Sequence, residues 1–177
     1  MYSLARTVPL SSFGRALAPY SRAQPRPLTA RARSSVRVLA MAEDQKLDKS
    51  TPDSVWKNIL SAEEFHILRN KGTEAPGTGL YNKFDQPGEY TCAGCGTVLY
   101  EDKHKFNSGC GWPAFYDNKE GAVERHTDTS MGMKRVEITC ANCGGHLGHV
   151  FEGEGFGNPI DERHCVNSKS IKHKPKE

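Results

Sequence analysis

Two Cys-x-x-Cys pairs, Cys92-Ala93-Gly94-Cys95 and Cys140-Ala141-Asn142-Cys143, constrain this chain more than any other feature. Two intervening residues let both sulfurs of a turn face one ion. A glycine follows each pair (Gly96, Gly144) and frees the backbone N–H groups to approach the thiolates. Each turn also follows a strand-like run, which suits a knuckle at the end of a β-hairpin. Together the pairs supply the four ligands of one closed, tetrahedral zinc site. A sizeable piece of the domain lies between Cys95 and Cys140, more than in a compact zinc ribbon. Zinc would tie the ends of that insert together, which helps a domain with a small core. Iron fits the same sulfurs; zinc is preferred because the site looks closed and nothing else points to electron transfer. A thioredoxin-like redox pair is disfavoured, since the motif occurs twice and neither copy opens a helix in a βαβ pattern.

The 177 residues fit one domain with appendages. Residues 1–41 hold seven arginines and no Asp or Glu, and are rich in Ser, Pro and Ala. That is the composition of an organelle transit peptide, expected to be disordered and cleaved near Ala40. Val36-Arg37-Val38-Leu39-Ala40-Met41 resembles plastid processing sites, so the chloroplast stroma is expected, with the mitochondrion as alternative. A disordered basic tail for an acidic partner is the plainer reading of the same segment. No apolar core of a secretory signal follows a short basic start. In a reducing compartment six cysteines point to metal binding and catalysis rather than a disulfide framework.

The rest of the chain carries 17 of the 24 basic residues and all 21 acidic ones, a net of −4. A mildly acidic body argues against a nucleic-acid partner. No apolar run approaches the roughly 18–20 residues that span a bilayer, so no membrane partner is expected. Residues 42–54 read as a flexible polar lead-in, 55–171 as the folded domain and 172–177 as a polar tail. Val55–Leu60 suggests a short helical turn. Ser61-Ala62-Glu63-Glu64 is a capping box that opens a second helix. Phe65 and Leu68 form its apolar stripe, and Lys71-Gly72 ends it with glycine in the left-handed conformation.

From Glu89 onward the apolar period drops to two, which predicts a mainly β, turn-rich domain. Met133–Cys140 alternates, placing Val136 and Ile138 on a buried face and Arg135 and Glu137 on a solvated one. Shorter strands are expected at 89–92, 98–100, 122–126, 149–151 and 164–167.

Cys110 and Cys165 remain. Cys110 lies in a loop made rigid by Gly109, Gly111 and Pro113 and walled by Trp112 and Phe115. Cys165 lies in Arg163-His164-Cys165-Val166-Asn167, where Arg163, His164 and Asn167 can stabilise a thiolate. On a strand, Arg163, Cys165 and Asn167 share a face and His164 points away. A buried, inert thiol is the alternative for Cys165. With zinc already ligated by four sulfurs, His146 and His149 are free for proton transfer; a plain pair of core or surface histidines is the alternative.

The segments Cys92-x-x-Cys95, Ser108-Gly109-Cys110-Gly111-Trp112-Pro113-Ala114-Phe115, Cys140-x-x-Cys143, His146-Leu147-Gly148-His149-Val150-Phe151 and Arg163-His164-Cys165-Val166-Asn167-Ser168 together resemble the type B methionine sulfoxide reductases. They stand in that family's order, and the match runs from about Trp56 to Ser170. The resemblance implies two small antiparallel sheets with short N-terminal helices outside them. It implies an enzyme, a peptide-methionine (R)-S-oxide reductase that acts on free or protein-bound sulfoxide in repair of oxidative damage. Cys165 then matches the nucleophile and Cys110 the resolving cysteine. Trp112 matches the ring that receives the substrate methyl group, and Phe151 a second wall. His146, His149 and Asn167 match residues that position and protonate the sulfoxide oxygen; Arg163 matches the arginine beside the nucleophile.

The implied cycle passes through a Cys165 sulfenic acid and a Cys110–Cys165 disulfide, reduced by thioredoxin. One structural zinc, no organic cofactor and a monomer are expected. His164 departs from the tyrosine or phenylalanine common at its position. Two rival classes are a non-catalytic zinc-ribbon binding module and an oxidoreductase of protein disulfides; neither needs the Trp112 pocket.

Overall fold

Proline at position 52 presets the backbone for a helix start but offers no side-chain cap, and α1 runs over Asp53–Ile59 directly after it. Trp56 on α1 is 1% exposed, and its indole N–H donates to the Thr51 carbonyl at 3.0 Å. The computed structural model describes residues 46–176, so the expected transit peptide and its processing site lie outside the described residues. The part of the lead-in that is described is not a loose tether. Thr51 is buried, and Asn142 of the second cysteine turn donates to the Leu47 carbonyl.

The second helix, α2 (Ala62–Leu68), carries the full capping box: Ser61 Oγ accepts from Glu64 N–H and the Glu64 carboxylate accepts from Ser61 N–H. It buries Ile67 and Leu68. The left-handed residue after it is Lys71 (φ 55), not Gly72. A side chain in that region costs about 1 kcal/mol or more. Lys71 Nζ reaches Glu137 at 2.7 Å from there, a contact glycine cannot make.

Among the described residues nine strands follow: β1 (Gly88–Cys92), β2 (Val98–Glu101), β3 (Lys105–Phe106), β4 (Ala114–Phe115), β5 (Val123–Asp128), β6 (Arg135–Cys140), β7 (His146–Glu152), β8 (Glu162–Val166) and β9 (Ile171–Pro175). They form a three-stranded sheet, β2-β1-β9, and a six-stranded sheet, β3-β4-β8-β7-β6-β5. Every pairing is antiparallel. The mainly β class is what the strand period predicts, and two antiparallel sheets are what the resemblance implies. No described helix is long and apolar enough to cross a membrane.

Tyr90, Leu99, Tyr100 and Ile171 of the small sheet pack in one cluster with Phe115, Ile138, Leu147 and Val166 of the large one. Each of these eight is at most 2% exposed. Tyr100 stacks on Phe115 with ring centroids 4.2 Å apart. Burying an aromatic or branched aliphatic side chain contributes about 1.5–3 kcal/mol, so this cluster holds the two sheets together.

Two expectations fail here. The stretch read as a polar tail is β9, whose residues 171–175 pair with the whole of β1. Its lysines carry no apolar signal, but its backbone completes the edge of the small sheet. The solvated face expected on β6 is covered instead: Glu137 and Thr139 are about as buried as Ile138 and Cys140. Polar alternation there marks a buried polar face.

Candidate active site and metal centre

Cross-strand registers line up one row of side chains across the large sheet. Phe106 faces Ala114, Ala114 faces Cys165, and Cys165 faces His149. His149 faces Glu137, and Glu137 faces His126. Directly opposed residues project from the same face. Arg163, Cys165 and Asn167 therefore share the face of His149 and Phe151, and His164 points the other way. His164 is fully buried, between the Tyr100 hydroxyl at 3.3 Å and Glu162 at 3.1 Å. It is a core residue. Gly148 lets β7 pass this close to the Cys165 backbone, since a β-carbon there would overlap the Cys165 carbonyl oxygen.

Cys110 reaches the row from the loop between β3 and β4. Asn107 Oδ1 accepts from Gly109 N–H and Ser108 Oγ accepts from Cys110 N–H. The Gly111 carbonyl accepts from Gly77 N–H at 2.7 Å. Gly109 and Gly111 take positive φ, which lets so short a loop double back. The result is a Cys110 Sγ to Cys165 Sγ distance of 3.6 Å.

At that separation the two sulfurs are within hydrogen-bonding reach of each other. Its hydrogen bond with Cys165 draws the Cys110 thiol down to about 5, against burial. The same contact and burial push the Cys165 thiol up, while Arg163 opposes them. Arg163 is itself fixed by Glu154, which accepts from Nε at 2.6 Å and from Nη2 at 2.7 Å. Its guanidinium lies 4.4 Å from the Phe151 ring centroid.

Beside Cys165 opens a cavity of about 130 Å³. Trp112 and Phe151 give it apolar walls, His149, Asn167 and Arg135 give polar ones, and Thr73 and Gly148 complete it. The Trp112 indole N–H donates to the Glu74 carbonyl at 3.0 Å. His149 Nε2 lies 2.9 Å from Asp128. Hydrogen bonds from Ser130 and then from His149 hold the Asp128 carboxyl well below the usual carboxylate range. Asn167 has its amide engaged with backbone: Oδ1 accepts from Glu74 N–H and Nδ2 donates to the Leu147 carbonyl.

His146 is placed differently from His149. It is 3% exposed and does not line the cavity. Its Nδ1 sits 2.7 Å from Glu137, and Nε2 is buried without a partner. Burial lowers its pKa, against the nearby Glu137. The two imidazoles stand edge to face, 5.6 Å apart. His149 therefore meets the cavity and His146 backs it.

The structure adds residues that the sequence alone did not single out. Asp128 holds His149, Glu137 holds His146, Glu154 holds Arg163, and Glu74 binds both Trp112 and Asn167. Each is a lone acid in an unremarkable stretch, so no motif reveals it.

The four remaining cysteines converge. Their sulfurs all lie within 4.8 Å of one another, with Cys92–Cys143 and Cys95–Cys140 both at 3.6 Å. Gly96 and Gly144, both at positive φ, close the two turns by donating to the Cys92 and Cys140 carbonyls. Cys92 ends β1 and Cys140 ends β6, so an ion held here joins the small sheet to the large one. This cluster can hold a metal ion.

The SelR domain matches residues 60–175 of the chain. The chain belongs to this family. Its relatives bear the name that the motifs suggest, and the type B methionine sulfoxide reductases are the family concerned. The chain is 58% identical over 139 residues to peptide methionine sulfoxide reductase B2, chloroplastic, of Arabidopsis thaliana, covering 78% of this chain and 68% of that protein. It is 62% identical over 127 residues to peptide methionine sulfoxide reductase B5 of Oryza sativa subsp. japonica, covering 72% and 92%. It is 56% identical over 137 residues to peptide methionine sulfoxide reductase B3 of Arabidopsis thaliana, covering 77% and 76%. The SelR match includes all six cysteines and the row from Phe106 to His149.

Proposed function

We propose that this SelR-family oxidoreductase converts the R epimer of methionine sulfoxide to methionine, free or in proteins, with Cys165 as nucleophile. The observation that carries the reading is the sulfur pair at 3.6 Å on the edge of a cavity walled by Trp112, Phe151 and His149. The sulfoxide sulfur is electrophilic because its oxygen withdraws electrons. Trp112 and Phe151 suit the S-methyl group, and the polar side of the cavity suits the oxygen.

Once the hydrogen-bonded pair has lost one proton, the proton that remains can pass between the two sulfurs. Shifting that proton along the existing hydrogen bond leaves Cys110 a thiol and Cys165 a thiolate beside Arg163. The thiolate attacks the sulfoxide sulfur and forms an S–S bond, while the oxygen gains a proton from His149, which Asp128 orients, and departs as hydroxide. That hydroxide attacks the Cys165 sulfur and breaks the new S–S bond, so methionine leaves and Cys165 becomes a sulfenic acid. Cys110, once deprotonated, attacks that sulfur and expels water. Closing from 3.6 Å to a disulfide of about 2.04 Å takes roughly 1.6 Å of movement. A dithiol protein, thioredoxin, then restores both thiols by exchange. His146 acts behind His149 as a positioning residue, and Asn167 and Glu74 hold the Trp112 wall.

The four-cysteine cluster is read as one structural zinc site. A tetrahedron with Zn–S bonds of about 2.3 Å has edges near 3.8 Å, close to the sulfur spacings found. The site supplies no chemical step. The composition of residues 1–41 and the chloroplastic names of two relatives support a plastid location, where the protein would repair oxidised methionine. Turnover of each epimer measured separately, with dithiothreitol as reductant, tests the assignment. Only the R epimer should be consumed. Consumption of the S epimer alone, or of neither, overturns it.

A further inference from the structure

We infer that the groove between α2 and residues 73–78 seats the polypeptide that flanks an oxidised methionine in a protein substrate. This rests on reading the adjoining cavity as the sulfoxide pocket. The two spaces differ in size. An enclosed cavity of about 150 Å³ takes a benzene ring, that is, about six heavy atoms. The pocket beside Cys165 holds about 130 Å³. It fits a methionine sulfoxide side chain and leaves the peptide backbone outside.

The backbone that stays outside meets a groove of about 600 Å³. Ala62, His66 and Ile67 of α2 line one side, and Ala75 and Thr78 line the other. Thr73 lines both the groove and the pocket, so the two adjoin at that residue. The partition between them is also the wall that holds the site. Glu74 accepts from the Trp112 indole through its carbonyl, donates its N–H to Asn167, and accepts from Ser168 N–H through its carboxylate. A chain lying in the groove is thereby registered against Trp112, and its methionine side chain turns inward past Thr73.

The character of the groove suits a polypeptide of no fixed sequence. Its lining mixes small apolar side chains with the exposed Glu63–Lys169 ion pair at 2.7 Å. An exposed pair of this kind holds little energy and yields readily to a ligand's own polar groups.

Filling the groove tests the inference without touching the pocket. Ala62→Trp and Thr78→Trp are made in the full chain, both positions being exposed. kcat/KM is measured with dithiothreitol on free methionine R-sulfoxide and on an unstructured peptide carrying one methionine R-sulfoxide. Peptide kcat/KM should fall about tenfold while the free amino acid stays within about twofold, since only peptide binding crosses the groove. Turnover of the free amino acid also reports that each variant is folded. An unchanged peptide rate, or equal losses on both substrates, overturns the groove assignment. So does a change in sedimentation of the variants, which would give the groove to a second copy of the chain. Failure of the unsubstituted protein on both substrates would instead sink the sulfoxide reading itself.

Discussion

Breaking the four-cysteine cluster should cost about as much stability as a large core truncation, because it removes a cross-link between the two sheets. The sulfurs of Cys95 and Cys140 are separated by 45 residues of chain. Closing a loop of that length lowers the entropy of the unfolded chain by about 13 cal/mol/K, or about 4 kcal/mol at 25 °C. Domains of this size hold only about 5–15 kcal/mol in total. With an unfolding entropy of about 2.1 cal/mol/K per residue over roughly 130 residues, 4 kcal/mol corresponds to a fall in Tm of about 15 °C. Cys95→Ser is the perturbation, with metal content read by elemental analysis and unfolding by calorimetry. The protein should carry one zinc per chain, and the variant should lose both the metal and about 15 °C. A variant that loses the metal yet melts within about 3 °C of the parent would refute the cross-link argument.

Two further outcomes follow from the site. Glu154→Gln releases Arg163 from its carboxylate, so the Cys165 thiolate loses a fixed positive neighbour; kcat/KM should fall about tenfold with KM little changed, as for a group that acts on the attacking sulfur. Cys110 has a folded pKa drawn down to about 5, so its contribution to stability is present above the ordinary thiol range and is lost as pH falls through about 5. Cys165 is shifted upward and works in the opposite sense, so its contribution fades only as pH rises above that range. The Tm advantage of the parent over Cys110→Ser should therefore shrink as pH is lowered from 8 to 5, and a constant difference would contradict the lowering of the Cys110 pKa by its contact with Cys165.

The parts of this molecule that were legible in the sequence are those encoded by neighbours in the chain. Both cysteine turns, the capping box of α2 and the strand period of β6 depend on residues a few positions apart. The adjacency of Cys110 and Cys165 depends on the pairing of Ala114 with Cys165, which joins strands distant in sequence. β3 and β4 have two residues each, too few to show a period. Glu137 read as solvated because alternation gives the two faces of a strand without saying what covers them. The helix and loop residues that supply Lys71 cover that face. β9 was missed because edge pairing uses backbone groups, and Lys172, His173 and Lys174 look like a tail. The acids that orient His149, His146 and Arg163 act across the fold, where spacing carries no information.

The central claim is that Cys165 reacts with the sulfoxide and Cys110 only afterwards. One measurement addresses it directly: a single turnover without reductant, followed by peptide mapping of the thiols and quantification of methionine. The parent should yield one equivalent of methionine and a Cys110–Cys165 disulfide. Cys110→Ser should yield the same methionine with a sulfenic acid trapped at Cys165, and Cys165→Ser should yield none. Methionine release by Cys165→Ser, or a sulfenic acid found on Cys110, would contradict the account.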